Sequence, residues 1–300
     1  FAADVVADFV DEYAAGRTPN PCLRCNEKIK FAAVLERGRA LGFDAVATGH
    51  YARIERSGDT VSLYRSPEPA KDQSYVLGVL DADQLRHSLF PLGADTAKAE
   101  VRAEAAARGL LVARKPDSHD ICFIPTGDTA GFLRSRLGSQ VGDIVDETGD
   151  VVGAHSGYQQ FTVGQRHGLH LSVPAADGRP RYVLRIDPVA NTVQVGPRER
   201  LAVQTIEAIR PTWTEGFVAG AWRGLVQVRA HGEAMPATIH VVTIPEEPSE
   251  ERGKRHEGPP PACVRIVLDQ PALGIAPGQA AVYYDGDRVV GSATISATAA

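Results

Sequence analysis

Two regular patterns of apolar residues open the chain, and both have helical spacing. They predict a first helix over Asp4 to Tyr13 and a second helix that begins near Asn26 and ends before Gly42. The segment between them, 16–21, contains two prolines, each of which disfavours helix at the preceding residue. The sequence therefore predicts a helix, a break and a second helix at the start of the chain.

A short apolar run, Phe43 to Thr48, ends in Gly49-His50 and predicts a buried strand that leads into a loop. A further helix is predicted over about Ala97 to Arg108, with Asp95-Thr96 as its cap. Strands that alternate with helices predict a mostly parallel sheet covered by helices. Ligands of such sheets bind at the carboxyl ends of the strands, which is where Gly49 and His50 lie.

From about Gly138 the pattern changes to short runs of β-forming residues separated by turns. Tyr182 to Ile186 and Thr192 to Val195 flank a turn segment and predict a hairpin. The last hundred residues contain five such runs, which together predict a small antiparallel barrel. These runs are Leu225 to Val228, Thr238 to Ile244, Val264 to Leu268, Ala280 to Tyr284 and Val289 to Ile295.

These changes of pattern divide the chain into three predicted domains. An α/β catalytic domain covers 1–130, a small β-rich central domain covers 131–203, and the barrel domain covers 204–300. Within the barrel domain, 245–261 is charged and rich in proline, which predicts a mobile loop.

The composition is that of an ordinary globular protein and excludes several classes. Of the 300 residues, 43% are hydrophobic and 23% charged, which argues against a disordered or fibrous protein. No apolar run approaches the roughly 20 residues of a membrane span, so no membrane partner is expected. The net charge of −5 argues against a generally basic nucleic-acid-binding surface. We interpret the group of basic residues between Arg17 and Arg37 as a solvated helix face.

Four cysteines are too few for a disulfide scaffold and suit the reducing cytoplasm. The single methionine is Met235 and the chain opens at Phe1, so we expect that something upstream is missing.

The CxxC motif Cys22-Leu23-Arg24-Cys25 lies between Pro21 and the predicted helix start at Asn26. A thiol just before a helix start is close to the positive end of the helix dipole, and Lys28 and Lys30 add positive charge nearby. Both effects favour the thiolate, which attacks electrophiles and binds metals. Three interpretations remain open: half of a zinc site, a redox pair, or one nucleophile with an incidental neighbour.

The other candidate residues have ordinary structural interpretations when each is taken alone. Cys122 fits a buried position in an apolar strand, and Cys263 fits the core. His50 fits a loop histidine, and the polar cluster 71–75 fits a capped turn.

Taken together and in order, these segments are far more specific than any one of them. The ordered motifs are GRTPNPCLRCNEKIKF, ATGHYAR, KDQSYVLGVL, LFPLG, DSHDICFI and FTVGQRHGL. This set resembles the tRNA-specific 2-thiouridylases, the MnmA/TrmU family. The likeness runs from Gly16 to the closing PGQAAVYYDGDRVVG and so covers nearly the whole chain.

The resemblance implies a fold and an activity. The fold is α/β: an N-terminally truncated, adenine-nucleotide α-hydrolase-like (PP-loop) parallel sheet with helices, a central tRNA-binding domain and a C-terminal antiparallel β-barrel. The activity is transfer of sulfur to C2 of the wobble uridine of tRNA in the cytoplasm, with ATP and Mg²⁺. The implied partners are tRNA-Lys, tRNA-Glu and tRNA-Gln, and a cysteine desulfurase or sulfur-relay protein as donor.

The motif positions also imply roles for individual residues. Cys25 matches the nucleophile and Cys122 the cysteine that receives the persulfide, and the two match a transient disulfide pair. Gly49 matches a contact to ATP. Contacts to the target base or to other parts of the tRNA are matched by Asn20, Pro21, Cys22, His50, Lys71, Asp72, Gln73, Arg229, Ala230 and Gln279.

Three departures from the family pattern stand out. Cys22 replaces an Asp of the family, a candidate acid/base. Ala230 replaces a Tyr beside Arg229. No segment matches the family's glycine-rich SGGxDS loop, which binds the ATP phosphates. We therefore expect the chain to be a fragment of a longer enzyme.

A rival hypothesis belongs to another functional class. Cys22, Cys25 and Cys122, with a histidine such as His119, would together supply the four ligands of a structural zinc site. The chain would then be a zinc-stabilised, non-catalytic RNA-binding protein or an inactive fragment.

Overall fold

The computed structural model describes residues 1–93, 97–114, 121–243 and 262–300. The chain opens with a π-helical segment, Ala2–Ala7, that continues as the α-helix Asp8–Ala14. This confirms the first predicted helix. A continuous helical segment follows, which we call the thiol helix; it comprises Pro21–Arg24, the π-helical Cys25–Ala33 and Val34–Ala40.

The start of the thiol helix corrects the sequence prediction. The helix begins at Pro21, not near Asn26, so Cys22 and Cys25 lie inside the helix and not before it. Asn20 caps this start because its side-chain Oδ1 accepts a hydrogen bond from the backbone N–H of Cys22 at 3.0 Å. Pro21 occupies the first turn, where its missing N–H costs nothing.

In the part of the first domain that the structure describes, there are two pairs of short strands. Strands β1 (Val46–Ala47) and β4 (Ser88–Leu89) pair in parallel. The hairpin of β2 (Arg53–Ser57) and β3 (Thr60–Tyr64) lies between them in the chain. The predicted buried strand over 43–48 is therefore shorter than expected, and Phe43 is 64% exposed.

Further short helices complete the first domain and lead into the second. The helix Lys98–Ala107 confirms the prediction over about Ala97 to Arg108, whereas its predicted cap at Asp95-Thr96 lies outside the described residues. The remaining helical segments of the described chain are Pro69–Lys71, Ser74–Leu77, Ala82–Arg86, Leu111–Arg114, Thr129–Leu137, Tyr158–Gln160 and Arg198–Leu201.

The central domain is a four-stranded sheet in the order β6-β5-β8-β7. Its strands are β5 (Gly142–Val145), β6 (Val151–His155), β7 (Tyr182–Asp187) and β8 (Thr192–Gly196). The antiparallel pairing of β7 with β8 confirms the predicted hairpin. Ile144, Val183, Val193 and Val195 are fully buried in its core.

The described residues of the last domain form a closed antiparallel barrel of six strands. The strand order β13-β10-β11-β12-β9-β14 closes through the pairing of β13 with β14. Its strands are β9 (Ala202–Trp213), β10 (Gly220–Gln227), β11 (Met235–Thr243), β12 (Ala262–Leu273), β13 (Ala280–Asp285) and β14 (Arg288–Ala299).

The barrel confirms the five predicted runs and adds strands that the sequence pattern did not predict. One is β9, and the others are β2 and β3, which extend the sheet because β3 pairs with β14. The hairpin of the first domain therefore belongs to the same sheet as the barrel. Cys263, expected in the core, is only half-buried, since its neighbours Ala262 and Val264 take the inward positions on β12.

Two further predictions concern a loop and the membrane. The loop predicted as mobile, 245–261, lies outside the described residues. Among the residues that are described, no helix has the length and hydropathy needed to cross a bilayer.

Candidate functional site

The segment before the thiol helix is fixed at both of its ends. Its first part, Gly16 to Thr18, contacts the central domain and the barrel, whereas Asn20 caps the helix at the other end. Inside the helix, the Asn26 side-chain amide donates to the carbonyl of Val76 at 2.8 Å. Cys22 is exposed and Cys25 half-buried, and both are free thiols.

Cys122 lies in an exposed turn, which corrects the interpretation of a buried strand residue. The turn is closed by the backbone N–H of Ile124, which donates to the carbonyl of Ile121 at 2.8 Å. Ile124 is 3% exposed and packs with Phe9 in a small apolar cluster, and the ring of Phe123 meets that of Phe9 at 5.4 Å between centroids. Cys122 is therefore presented to solvent by neighbours that are packed beneath it.

The structure places Cys122 within electrostatic reach of the CxxC pair. Cys122 is close enough to Cys22 and Cys25 for a negative charge on it to raise the pKa of each of them. Lys30 lies near enough to the same pair to lower their pKa values. Cys122 and Lys30 therefore both lie within electrostatic reach of the CxxC thiols.

The expected low pKa of the CxxC thiols is wrong in direction. Removal from water is the largest cause and raises the pKa of Cys25, and the favourable charge of Lys30 does not offset it. The pKa of Cys22 is also raised. Lys28, the second expected contributor, forms an ion pair with Glu27 at 2.9 Å. Both thiols therefore keep their protons at neutral pH in the free protein.

His50 is 8% exposed and holds Lys30. Burial and the charge of Lys30 lower the pKa of His50 to about 4, so its ring is neutral at physiological pH. The Lys30 ammonium lies 3.4 Å from Nε2, and Thr48 Oγ1 lies 2.8 Å from Nδ1. Because an ammonium group can only donate, Nε2 accepts and the ring proton resides on Nδ1. His50 thus orients Lys30 beside the thiols.

The segment 71–73 is tied to the residue that follows His50. The backbone N–H of Gln73 donates to the carbonyl of Tyr51 at 2.9 Å, and the backbone N–H of Tyr51 donates to Gln73 Oε1 at 3.0 Å. Two of the sequence-predicted segments, around His50 and around Lys71, are therefore neighbours.

Asp72 belongs to a buried polar network. Its carboxylate accepts hydrogen bonds from the backbone N–H groups of Ser66 and Ser74 and from the Ser74 hydroxyl, and its side chain is 8% exposed. The Arg65 guanidinium, 3.4 Å from this carboxylate, stacks over the ring of Tyr284 at 3.8 Å. In this structure Asp72 stabilises the local backbone.

The same network reaches the predicted pair Arg229 and Ala230. Gln227 accepts from Arg65 at 3.1 Å through Oε1 and donates from Nε2 to the carbonyls of Arg229 and Ala230. Arg229 itself donates to the carbonyl of Leu273 at 3.2 Å. The candidate tRNA-binding segments 71–73 and 229–230 are thus linked through Arg65 and Gln227.

Gln279 is tied to a different part of the site. Its side-chain amide donates to the carbonyl of Thr18 at 2.6 Å, two residues before the cap of the thiol helix. The barrel therefore makes direct contact with the segment that leads to Cys25.

Gly49 lies in the exposed loop after β1, at the carboxyl end of a parallel strand. A Cβ atom at this position would meet only Leu92, at an ordinary 3.5 Å, so the backbone is open to a ligand. Among the described residues, no three His, Cys, Asp or Glu side chains are grouped to hold a metal ion. His119, the fourth ligand of the rival zinc hypothesis, lies outside the described residues.

A cavity of about 550 Å³ lies between the first domain and the barrel. Asn20, Leu23 and Arg24 line one side, and Arg210 and Gly278 line the other. Neither Cys22 nor Cys25 lines it, so the thiol group faces a different surface.

The residues that connect the predicted ones could not be identified from the sequence. Lys30 was expected to add positive charge near the thiols, but its contact with His50 was not predicted, and Arg65, Gln227 and Thr18 were not identified as candidates. The signal for Lys30 was its place in the motif NEKIKF, five residues after Cys25. Thr18 and Gln227 have no local signal, because their partners are distant in sequence.

Three family domains match the chain. They are the tRNA methyl transferase HUP domain over 1–126, the tRNA methyl transferase PRC-barrel domain over 130–197, and the aminomethyltransferase beta-barrel domain over 258–295.

The chain is also similar to curated proteins over almost its whole length. It is 58% identical to a tRNA-specific 2-thiouridylase MnmA of Cutibacterium acnes, over 99% of this chain and 76% of that protein. It is 60% identical to the protein of that name from a Nocardioides species, over 99% of this chain and 78% of the relative. The corresponding protein of Acidothermus cellulolyticus is 57% identical, with 99% and 77% covered.

Proposed function

This chain belongs to the tRNA-specific 2-thiouridylase family, and from that premise we propose how its residues carry sulfur to tRNA. The chain is a tRNA sulfurtransferase that 2-thiolates uridine. The observation that carries the mechanism is that Cys25 and Cys122 are free thiols on segments that both pack against the first helix: Arg24 pairs with Asp8 at 3.3 Å, and the ring of Phe123 meets that of Phe9 at 5.4 Å.

We propose that Cys122 receives the sulfur as a persulfide from a cysteine desulfurase or a sulfur-relay protein. Its exposed turn makes it accessible to another protein. The outer sulfur attacks C2 of the activated wobble uridine, and the bond from C2 to the activated oxygen breaks. The base is then joined to Cys122 through a disulfide.

Cys25 releases the product in the second step. Its thiolate attacks the Cys122 sulfur of that mixed disulfide, which frees 2-thiouridine and forms a Cys25–Cys122 disulfide. Two electrons from a cellular thiol reductant then restore both thiols. Lys30, held by His50, favours the thiolate of Cys25 against the effect of burial.

ATP, when bound, supplies the activation that makes the uridine oxygen a leaving group. The open backbone at Gly49 fits a contact to the nucleotide. We propose that Mg²⁺ arrives on the ATP phosphates, since Mg²⁺ keeps water and phosphate ligands and the described residues offer no carboxylate cage.

We propose that tRNA contacts both the first domain and the barrel, with its wobble base at the thiol helix. Asn20, Pro21 and Cys22 lie at the start of the thiol helix, where a flipped base would meet Cys25. The linked segments 71–73 and 229–230, with His50 and Gln279, would contact the tRNA around it. In this proposal, residues 1–130 catalyse the reaction, and residues 131–203 and 204–300 bind tRNA. The substrates are tRNA-Lys, tRNA-Glu and tRNA-Gln, and the reaction takes place in the cytoplasm.

The proposal is tested by complementing cells that lack 2-thiouridine with the full-length gene. Cys25→Ser and Cys122→Ser should each lower 2-thiouridine in purified tRNA by at least about a thousandfold, because a hydroxyl neither carries nor displaces sulfur. Cys263→Ser, at a half-buried position on β12, is the matched control and should keep thiolation normal. Normal thiolation by Cys25→Ser or Cys122→Ser would overturn the assigned roles.

A further inference from the structure

Thr18 is held by the barrel at both of its backbone polar groups. Its N–H donates to the carbonyl of Pro277 at 2.8 Å, and its carbonyl accepts from Gln279 Nε2 at 2.6 Å. We call these two hydrogen bonds the Thr18 clamp. Both partners come from one turn, 277–279, that precedes β13.

Gly278, between the two partners, lies against the same residue. Its φ of +93° is unfavourable for other L-amino acids. A Cβ atom there would lie 2.9 Å from the Thr18 nitrogen, closer than Cβ atoms approach other atoms, and a tight 3.0 Å from Arg17 Cβ. The close approach that the clamp requires therefore needs glycine for both conformation and space.

The central domain holds the same segment from another side. The Tyr158 hydroxyl donates to the carbonyl of Ala14 at 2.7 Å, and the hydroxyls of Thr162 and Thr18 lie 3.3 Å apart. Gly16, with φ +71°, lies where a Cβ atom would meet Pro188 at 2.8 Å. All three domains thus converge just before the thiol helix.

The chain between Thr18 and Cys25 can transmit this placement. Pro19 and Pro21 restrict their own backbone angles and those of the preceding residues. Asn20 fixes the helix start through its hydrogen bond to the N–H of Cys22. A shift of Thr18 would therefore move the start of the helix that carries Cys25.

We propose that Gln279 and Gly278 are positioning residues for Cys25: the barrel turn sets where the thiol helix begins and so where the thiol lies. The inference refines the proposed function, in which Cys25 attacks a bond to Cys122. Its direct test measures thiol reactivity without tRNA or ATP, so it is independent of that function.

The first test compares two glutamines that make the same kind of bond. Gln204, also half-buried, donates from Nε2 to the carbonyl of Leu268 at 2.9 Å within the barrel. Gln279→Ala should change the rate of Cys25 alkylation by iodoacetamide by about threefold or more, whereas Gln204→Ala should leave it unchanged. Trypsin cleaves after Arg24 and Lys28, so mass spectrometry resolves Cys25 from Cys22.

The second test compares two glycines with positive φ. Gly286 has φ +59°, and a Cβ atom there would meet no other atom within 4 Å, so Gly286→Ala introduces backbone strain without a contact to the thiol segment. Gly278→Ala should alter Cys25 alkylation, and Gly286→Ala should not, at comparable losses in melting temperature. If Gly278→Ala does not fold, the comparison of Gln279→Ala with Gln204→Ala still tests the inference.

The same variants separate positioning from general stability. In cells, Gln279→Ala should lower thiolation by on the order of tenfold to a hundredfold, with Gln204→Ala near normal. Equal Cys25 alkylation rates in Gln279→Ala, Gln204→Ala and the unaltered chain would overturn the inference. If Gln279→Ala changes the rate of Cys25 alkylation while the Cys25→Ser variant still thiolates tRNA, the positioning role of the clamp stands. The proposed role of Cys25 in sulfur transfer is then wrong.

Discussion

The two thiols assigned to sulfur transfer are held by different physical means. Cys25 lies in a helix whose start is fixed by two hydrogen bonds: the Asn20 side chain accepts from the backbone N–H of Cys22, and Gln279 of the barrel donates to the carbonyl of Thr18. Cys122 lies in an exposed turn anchored by the apolar side chains of Phe123 and Ile124. The strength of hydrogen bonds and of charge interactions depends on the geometry of the groups and on pH, whereas the strength of apolar contacts depends on the volume of the side chains that fill the core. The two sides of the site should therefore respond to different perturbations.

The largest effect is expected when the apolar anchor of Cys122 is reduced. Ile124→Ala removes a side chain that is 3% exposed, which should cost about 2–4 kcal/mol of unfolding free energy. With the turn loosened, thiolation in complemented cells should fall by on the order of a hundredfold. Urea unfolding and 2-thiouridine measurements check the two parts.

The control is Val189→Ala, at a side chain that is 99% exposed in the central hairpin. Val189→Ala should change neither the unfolding free energy nor the 2-thiouridine content of tRNA. A stable Ile124→Ala protein with normal thiolation would show that the apolar anchor does not position Cys122.

The second-largest effect is a pH dependence of stability, which we expect from His50 on the side of the site that carries Cys25. His50 has a pKa lowered to about 4, below its ordinary value of about 6.5, so the unfolded chain binds the proton more strongly. Its contribution to stability is complete above pH 6.5 and is lost as the pH falls towards 4. Between pH 7 and pH 5 this loss should be about 2 kcal/mol.

Urea unfolding at the two pH values measures that loss. His50→Gln should flatten the dependence, leaving the smaller share of His155, whose pKa burial also lowers. The exposed His167 provides the control, since His167→Gln should keep the full dependence. An unchanged slope in His50→Gln would contradict the buried, neutral state assigned to His50.

The smallest effect concerns the charge beside the thiols. Lys30→Met removes the positive charge that lowers the pKa of Cys25, so the pKa should rise further and alkylation at pH 7 should slow by roughly two- to fivefold. Lys28→Met is the matched control on the same helix, because Lys28 pairs with Glu27 and does not affect Cys25. Equal Cys25 alkylation rates in Lys30→Met and Lys28→Met would show that Lys30 does not influence the thiol.

The sequence predicted what local patterns encode. The first helix, the central hairpin and five barrel strands follow from periodicity, and the candidate cysteines follow from ordered motifs. The thiol helix begins five residues earlier than predicted because a proline can open a helix when Asn20 caps it. The spacing of apolar residues alone carries no information about that cap.

The features that were missed depend on contacts between distant segments. The pairing of β3 with β14 and the bond from Gln279 to Thr18 join residues more than 200 positions apart. The raised pKa of Cys25 has the same origin, since burial is set by the folded environment and not by neighbouring lysines in sequence. Motif position identified the thiols, but only the fold shows how they are held.

The central claim is that Cys25 resolves the sulfur bond carried by Cys122. The most direct measurement is a single turnover with persulfide-loaded enzyme, ATP and unmodified tRNA, stopped by acid and mapped as non-reduced tryptic peptides. The peptide that begins at Cys25 should be linked to the peptide containing Cys122, in amounts equal to the 2-thiouridine formed. Thiolated tRNA without that link, or with a Cys22–Cys25 link in its place, would contradict the account.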